Sequence, residues 1–230
     1  MSIVTHGAVG AFNGRTGDVV TYRWRKLRVG RSAARTSRRE KTAKQKNQQK
    51  VFGVLSQVLS YFKNEINLGF NFKHGNVPPF GYAMRHNAKC CSLNADGIPV
   101  IDFASIQLTK GNLDQVYRVT MRLSAEKNNT IQLNWKNPVH FKSNVSETDV
   151  LHLQFFNEEV AASARESALA AYQTEAGARG DSYAEIKVVK TTMSGAFHCW
   201  LFLALMDRKQ VSKTKYLGKF DFAVSGTDNV

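Results

Sequence analysis

The first fifty residues carry no regular apolar period apart from one β-branched and aromatic run, Val19-Val20-Thr21-Tyr22-Arg23-Trp24. Set behind Gly7, Gly10, Gly14 and Gly17, that run predicts a loop, then a short strand, then a turn. The polar, basic stretch from Arg31 to Lys50 has no apolar stripe, so on its own it is flexible or only nascently helical. From about Thr42 to Gly69 the pattern changes, because Val51, Leu55, Val58, Phe62 and Ile66 recur at spacings of four, three, four and four. These positions form one face of an amphipathic helix, and Gly69 supplies its stop. After the breaker Pro78-Pro79-Phe80-Gly81, a second, shorter helix is expected over Tyr82 to Cys91.

Beyond Asp102 the period falls to two. Strands are expected at Ser105 to Thr109, Tyr117 to Ser124, Thr130 to Trp135, Val150 to Phe156, Tyr183 to Val189, Phe197 to Met206 and Tyr216 to Phe222. Val119, Met121 and Leu123 alternate with polar residues, as do Ile131, Leu133 and Trp135, so Trp135 is expected in the core. The ten-residue run Phe197 to Met206 is half a membrane span and reads as a buried strand. Glu158 to Gln173 is ambiguous. Its alanines suit a helix, whereas a strand before a turn at Gly177 to Gly180 suits the surrounding rhythm, and strand is the preferred reading.

The fold class expected is therefore α+β: a basic N-terminal arm with a short β segment, one or two helices, then an immunoglobulin- or fibronectin-like antiparallel β-sandwich. The corresponding boundaries are 1–50 for the arm, 51–103 for the helical segment and 104–230 for the sandwich. A chain of 230 residues with 43% hydrophobic content is long enough to bury a real core.

Charge changes this picture at one end. The net charge is +14, and residues 1–50 hold thirteen basic side chains against only Asp18 and Glu40. The remainder is close to balanced, as an ordinary solvated surface is. Such an arm favours anionic partners: nucleic acid, an acidic protein surface or lipid headgroups. Its candidate anion-binding residues are Arg15, Arg23, Arg25, Lys26, Arg28, Arg31, Arg35, Arg38, Arg39, Lys41 and Lys44. Tyr22 and Trp24 are interleaved with them as candidates for stacking or packing. No helix-turn-helix, zinc-finger or RNA-recognition signature accompanies them, so binding without sequence preference is the natural form.

Enzymatic chemistry finds little purchase. Gly14-Arg15-Thr16 imitates the end of a phosphate loop, but Val9 and Arg15 stand where that loop needs glycine and lysine. There is no G-x-S-x-G elbow and no H-E-x-x-H, and Glu158-Glu159, Asp181 and Glu185 have no evident base beside them. His74, His86, Cys90 and Cys91 could be imagined around a metal, but no second ligand pair with zinc spacing follows. His198-Cys199 lies in the most apolar run, where alternation sends one of the two into the core. No cofactor, metal or catalytic set is expected. Three cysteines, two of them adjacent, fit a reducing compartment, and the opening residues lack the features of a secretory signal, so a cytoplasmic or virion location without a membrane span is expected.

The longest sequence pattern is Gly7-x-x-Gly10-x-Phe12-x-Gly14-x-x-Gly17-x-Val19-Val20, followed by Trp24-x-Lys26, Arg28, Arg31, Gln45, Ile66-x-x-Gly69-Phe70 and a closing Val211-Ser212-x-x-x-Tyr216-Leu217-Gly218. It resembles an uncharacterised, domain-of-unknown-function family of Bacteroidetes proteins. That resemblance implies a bacterial or bacteriophage source and no activity. The Arg38-Arg39-Glu40-Lys41 stretch is more charged than the family pattern implies.

Three functional classes remain open. The first is a non-enzymatic structural protein that self-assembles in a nucleic-acid-containing particle or filament, its arm reaching nucleic acid or neighbouring subunits. The second is a monomeric nucleic-acid-associated accessory factor, and the third is an adhesive or surface-binding β-sandwich module.

Overall fold

The computed structural model describes residues 2–3, 13–24, 27–34, 40–70, 77–124, 130–138, 145–162, 170–187 and 195–222. The chain divides into two compact units, Met1–Ala43 and Lys44–Val230.

In the first unit, β1 (Ser2–Ile3), β2 (Gly14–Thr16), β3 (Val19–Trp24) and β4 (Leu27–Ser32) form one antiparallel sheet in the order β1-β4-β3-β2. The expected strand at Val19 to Trp24 is present, and it is an inner strand of this sheet. Leu27 and Val29 carry too short an alternation to announce β4 alone; register opposite Trp24 and Tyr22 completes it. Thr16 pairs with Val19 across Gly17-Asp18, and Gly17 supplies the positive φ of 57° that such a two-residue turn needs.

The second unit opens with helices. The single helix expected up to Gly69 is two, α1 (Ala43–Ser60) and α2 (Lys63–Gly69). The joint at Tyr61-Phe62 is tightened by Tyr61 N to Val58 O and Phe62 N to Leu59 O hydrogen bonds, a three-residue closure in place of the α-helical four. The predicted stripe is nevertheless the buried one: Leu55, Phe62 and Ile66 are at most 2% exposed. α3 runs over Pro79–His86, not Tyr82 to Cys91. Pro79 suits the first helical position. At the other end the buried Asn87 side chain donates to Ala83 O (3.0 Å) and Gln107 O (2.9 Å) and accepts from Gln107 N (2.8 Å), closing the helix against a distant segment. A 3-10 turn (Ala88–Cys90) follows, then a hairpin of β5 (Cys91–Leu93) and β6 (Pro99–Ile101).

The strand expected at Ser105 to Thr109 is absent. Phe103–Ser105 is a 3-10 turn whose first free amide, Ala104 N, is taken by Asp102 Oδ1 at 3.1 Å, a local bond that competes with strand pairing. The remaining strands are β7 (Tyr117–Leu123), β8 (Thr130–Lys136), β9 (Val150–Phe156), β10 (Ala171–Ala178), β11 (Tyr183–Lys187), β12 (Gly195–Ala204) and β13 (Lys215–Phe222). They pair antiparallel as β11-β8-β7 and β10-β9-β12-β13. Within the ambiguous segment, Glu158–Ala162 is a helix, α4, and only the end enters strand β10. Asn157 explains the correction: its Oδ1 accepts from Glu159 N (2.8 Å) and Val160 N (3.1 Å), and Glu158 and Glu159 occupy the first turn, where negative charge is favoured. Four helices among the described residues thus replace the one or two expected, and the fold is a β-rich mixture of helices and antiparallel sheets.

Two apolar cores flank the β10-β9-β12-β13 sheet of the second unit. Leu151, Leu153, Phe155, Phe197, Cys199, Leu201 and Leu203 face Ile131, Leu133, Trp135, Ala184 and Ile186 of the three-stranded sheet. The alternate positions Phe156 and Trp200 join Leu55, Leu59, Phe62, Ile66 and Phe70 of the helices. Under the first core lies a fully buried ion pair, Arg179 Nε to Asp149 Oδ2 at 3.1 Å. Arg179 Nη2 also donates to Asp114 O (2.6 Å), and its carbonyl accepts from Trp135 Nε1 (2.9 Å).

Trp135 is 2% exposed, so Trp135→Ala should cost about 3 to 5 kcal/mol in denaturant unfolding, the range for large aromatic truncations. A loss below about 1 kcal/mol would place the ring outside the core. A pH effect follows from His152, which is 2% exposed, stacks on Phe202 at 5.0 Å and sits across from Glu175. Burial lowers its pKa from 6.5, a shift opposed by Glu175 and aided by Arg208. The folded state therefore binds fewer protons than the unfolded one just below pH 6.5, and stability falls as the pH drops through that value. The melting temperature of the wild type should fall more steeply between pH 8 and 5 than that of His152→Gln; equal slopes would remove His152 from the account.

Candidate nucleic-acid interface

Strand alternation decides which predicted residues meet. Along β3, Val20, Tyr22 and Trp24 share one face, and their partners across the ladders are Arg31, Val29 and Leu27 on β4 and Arg15 on β2. Arg15 and Arg31 therefore flank Val20 from both sides on the face that carries both aromatic rings. The Arg31 guanidinium carbon lies 6.0 Å from the Tyr22 ring centre, the distance of a cation–π contact. Arg15 donates from Nε to Gly17 O at 2.9 Å. On the opposite face Arg23 stands directly across from Arg28. Two cations so placed present positive charge on that face as well.

All four of these arginines are exposed, whereas Tyr22 and Trp24 are half-buried. Ring faces beside guanidinium groups suit the two halves of a nucleotide, with bases stacking on the rings and phosphates meeting the cations. Lys41 and Lys44 are exposed too; Lys44 lies in the first turn of α1, in the second unit. Arg25, Lys26, Arg35, Arg38 and Arg39 lie outside the described residues.

A second polar constellation lies in the body, and sequence reasoning missed it. His198 is 7% exposed; its Nδ1 is 2.7 Å from the Tyr216 hydroxyl and its Nε2 is 2.7 Å from Glu158 Oε1. Lys219 Nζ lies 3.6 Å from the same carboxylate oxygen, and the imidazole stacks on Phe103 at 4.1 Å. Burial is the main cause raising the Tyr216 hydroxyl above its ordinary pKa, with Cys199, Glu158 and Asp102 adding to it. Glu158 opens onto a cavity of about 360 Å³ whose walls include Val58, Tyr61, Ile101, Phe103 and Phe156. The expectation for His198-Cys199 is resolved by strand parity: Cys199 enters the core between the sheets, and His198 faces the helical side, its ring nitrogens satisfied. Glu158, His198 and Tyr216 come from three different elements, α4, β12 and β13, and it is the β12-β13 pairing and the packing of α4 that bring them together, not a local spacing.

The described members of the imagined metal set form no metal-binding group. Cys90 is buried and its thiol donates to Ser105 O at 3.3 Å, Cys91 is buried beside it, and His86 bonds Gln107 Oε1 at 2.8 Å. His74 lies outside the described residues. Among the described residues no group of three His, Cys, Asp or Glu side chains could hold a metal ion, and no helix is long and apolar enough to cross a membrane.

No curated protein matches this chain. A family model does, over residues 11–218, a span that takes in the glycines of the opening pattern from Gly14 onward and ends on Gly218 of the closing one. The chain belongs to that family, DUF6266, a family of unknown function.

Proposed function

We propose that this is a non-enzymatic structural protein of a nucleic-acid-containing assembly, whose N-terminal sheet grips nucleic acid without reading its sequence. The observation that carries the reading is the shared face of β3 and its neighbours: Arg15, Arg31, Tyr22 and Trp24 lie together, with Arg31 over the Tyr22 ring. A merely solvated charge run would not be expected to alternate with rings in register on a paired sheet. The contact is mainly electrostatic, with stacking added, so its strength depends on backbone charge and unpaired bases.

The body is, in this reading, a fibronectin-like sandwich that supplies shape and contact area. Its support is the strand order. With β7 to β13 lettered A to G, the sheets pair as E-B-A and D-C-F-G. This is the seven-strand immunoglobulin plan with the fourth strand moved beside the third. Fold-level likeness of this kind carries no activity, which is why the functional argument rests on the N-terminal face.

Mass measurement in solution, at low and high salt and with or without an oligonucleotide, tests the assembly. Large particles that persist in high salt support it; a salt-sensitive one-to-one complex would make the protein an accessory factor instead. Indifference to nucleic acid would leave the adhesive-module reading. The interface is tested by substitution. Replacing Arg15, Arg23, Arg28 and Arg31 with Gln should weaken oligonucleotide binding and flatten its salt dependence by about 0.7 to 0.9 in slope for each phosphate no longer neutralised. Replacement with Lys should keep most of that slope, because the field remains while the fork and ring stacking disappear. Unchanged binding in the Gln variant would sink the proposed interface.

A further inference from the structure

A third concave site lies wholly within the second unit, and its chemistry differs from that of the Glu158 groove. It is a cavity of about 510 Å³ lined by Phe70, Tyr82, Arg85, His86, Lys89 and Lys110. No carboxylate stands among these residues.

The chain builds it from four pieces. Tyr82, Arg85 and His86 sit at positions i, i+3 and i+4 of α3, so they project from one side of the helix, and Lys89 extends the same side into the 3-10 turn. Phe70 closes α2 and is 1% exposed, with its ring 6.0 Å from the His86 ring and tilted by 58°. Gln107 Oε1 holds His86 Nε2 at 2.8 Å. Lys110 arrives because Gly69 has no side chain: a Cβ there would lie 2.4 Å from Thr109 Cα. With that space open, Lys110 N donates to Gly69 O at 3.2 Å, and Thr109 is locked from the far side by Thr214 Oγ1, which accepts from its amide at 2.7 Å.

The ordinary reasons for surface cations account for part of this set. Arg85 and His86 lie in the last turn of α3, where positive charge complements the helix dipole. That does not explain Lys110, which comes from another segment, nor the aromatic walls. A solvated surface interleaves both signs of charge, whereas this lining carries one. Three fixed cations outweigh the partial negative charge of one helix end. A concavity of this volume, lined by aromatic residues together with convergent polar groups, is of a size that takes small ligands.

We propose that this pocket binds a nucleoside phosphate. A base would stack against Tyr82 and His86 over Phe70, and the phosphate would meet Arg85, whose planar fork suits two oxygens, with Lys89 and Lys110 as further charges. A free nucleotide and one nucleotide of a single strand present the same chemistry. The inference is independent of the N-terminal interface, because none of its residues belongs to the first unit.

Equilibrium dialysis of the full chain against adenosine monophosphate, inorganic phosphate and a short oligothymidylate tests it. Wild type should bind the monophosphate saturably and more tightly than inorganic phosphate. Arg85→Gln combined with Lys110→Gln, both at exposed positions, should weaken it roughly tenfold or more with an unchanged melting temperature. Tyr82→Leu should weaken the monophosphate more than inorganic phosphate, and Gln at Arg15 and Arg31 should leave monophosphate binding intact. Oligothymidylate weakened by the Arg85 and Lys110 changes, with the N-terminal arginines present, identifies a strand as the source; oligothymidylate unaffected while monophosphate binding disappears identifies a free nucleotide. The proposal is overturned if no saturable monophosphate binding occurs, if inorganic phosphate binds as tightly, or if the double variant binds like wild type.

Discussion

The second unit depends on one constraint: β9 and β12 are buried on both faces. In each strand neighbouring residues serve different cores, as when Cys199 packs between the sheets while Trp200 packs against the helices. β12 therefore reads as a nearly continuous apolar run, whereas β9 keeps an alternation in which the polar His152 and Gln154 are buried as well. Several of the polar groups they carry find partners inside the protein. His198 does so through Tyr216 and Glu158, and the Trp200 indole donates to Phe103 O at 3.2 Å. These bonds tie α4 and the Phe103 turn to the sheet and add a side-chain link between its strands β12 and β13. The Glu158 groove is thus a by-product of solving the burial of a histidine.

Legibility followed the reach of each signal. The helical stripe from Leu55 to Ile66 and the buried face of Ile131, Leu133 and Trp135 were readable because burial on one side leaves a period in the chain. The helix break at Tyr61-Phe62 was not, since it answers to aromatic packing: the Phe62 ring lies 5.5 Å from Phe156 and 5.7 Å from Trp200. Asn157 and Asp102 each divert the chain by a local side-chain bond, and both capping signals stood in the sequence beside a competing strand rhythm. The charge of the N-terminal residues was plain in composition, but their grouping on one face needed the β3 register. The pocket of Arg85 and Lys110 needed a tertiary contact, Gly69 against Thr109, that no spacing encodes.

Three positions of the long sequence pattern, Gly69, Val211 and Ser212, mark seams in the second unit. Gly69 admits Thr109 against a helix end. Val211 and Ser212 do similar work: a Cβ at Gly111 would lie 1.7 Å from Val211 O, and the buried Ser212 Oγ accepts from Leu203 N at 2.8 Å and from Gln115 Nε2 at 2.9 Å. These residues hold segments together that are distant in sequence.

The sharing of β9 and β12 between two cores also sets how the second unit can open. Neither the helical layer nor the three-stranded sheet can detach without uncovering one face of the same two strands. Local fluctuations are then confined to the margins, and the amides of β9 and β12 should exchange with solvent only through whole-unit unfolding. Solvent deuterium would thus find a single cooperative block where the sequence shows separate helical and β segments.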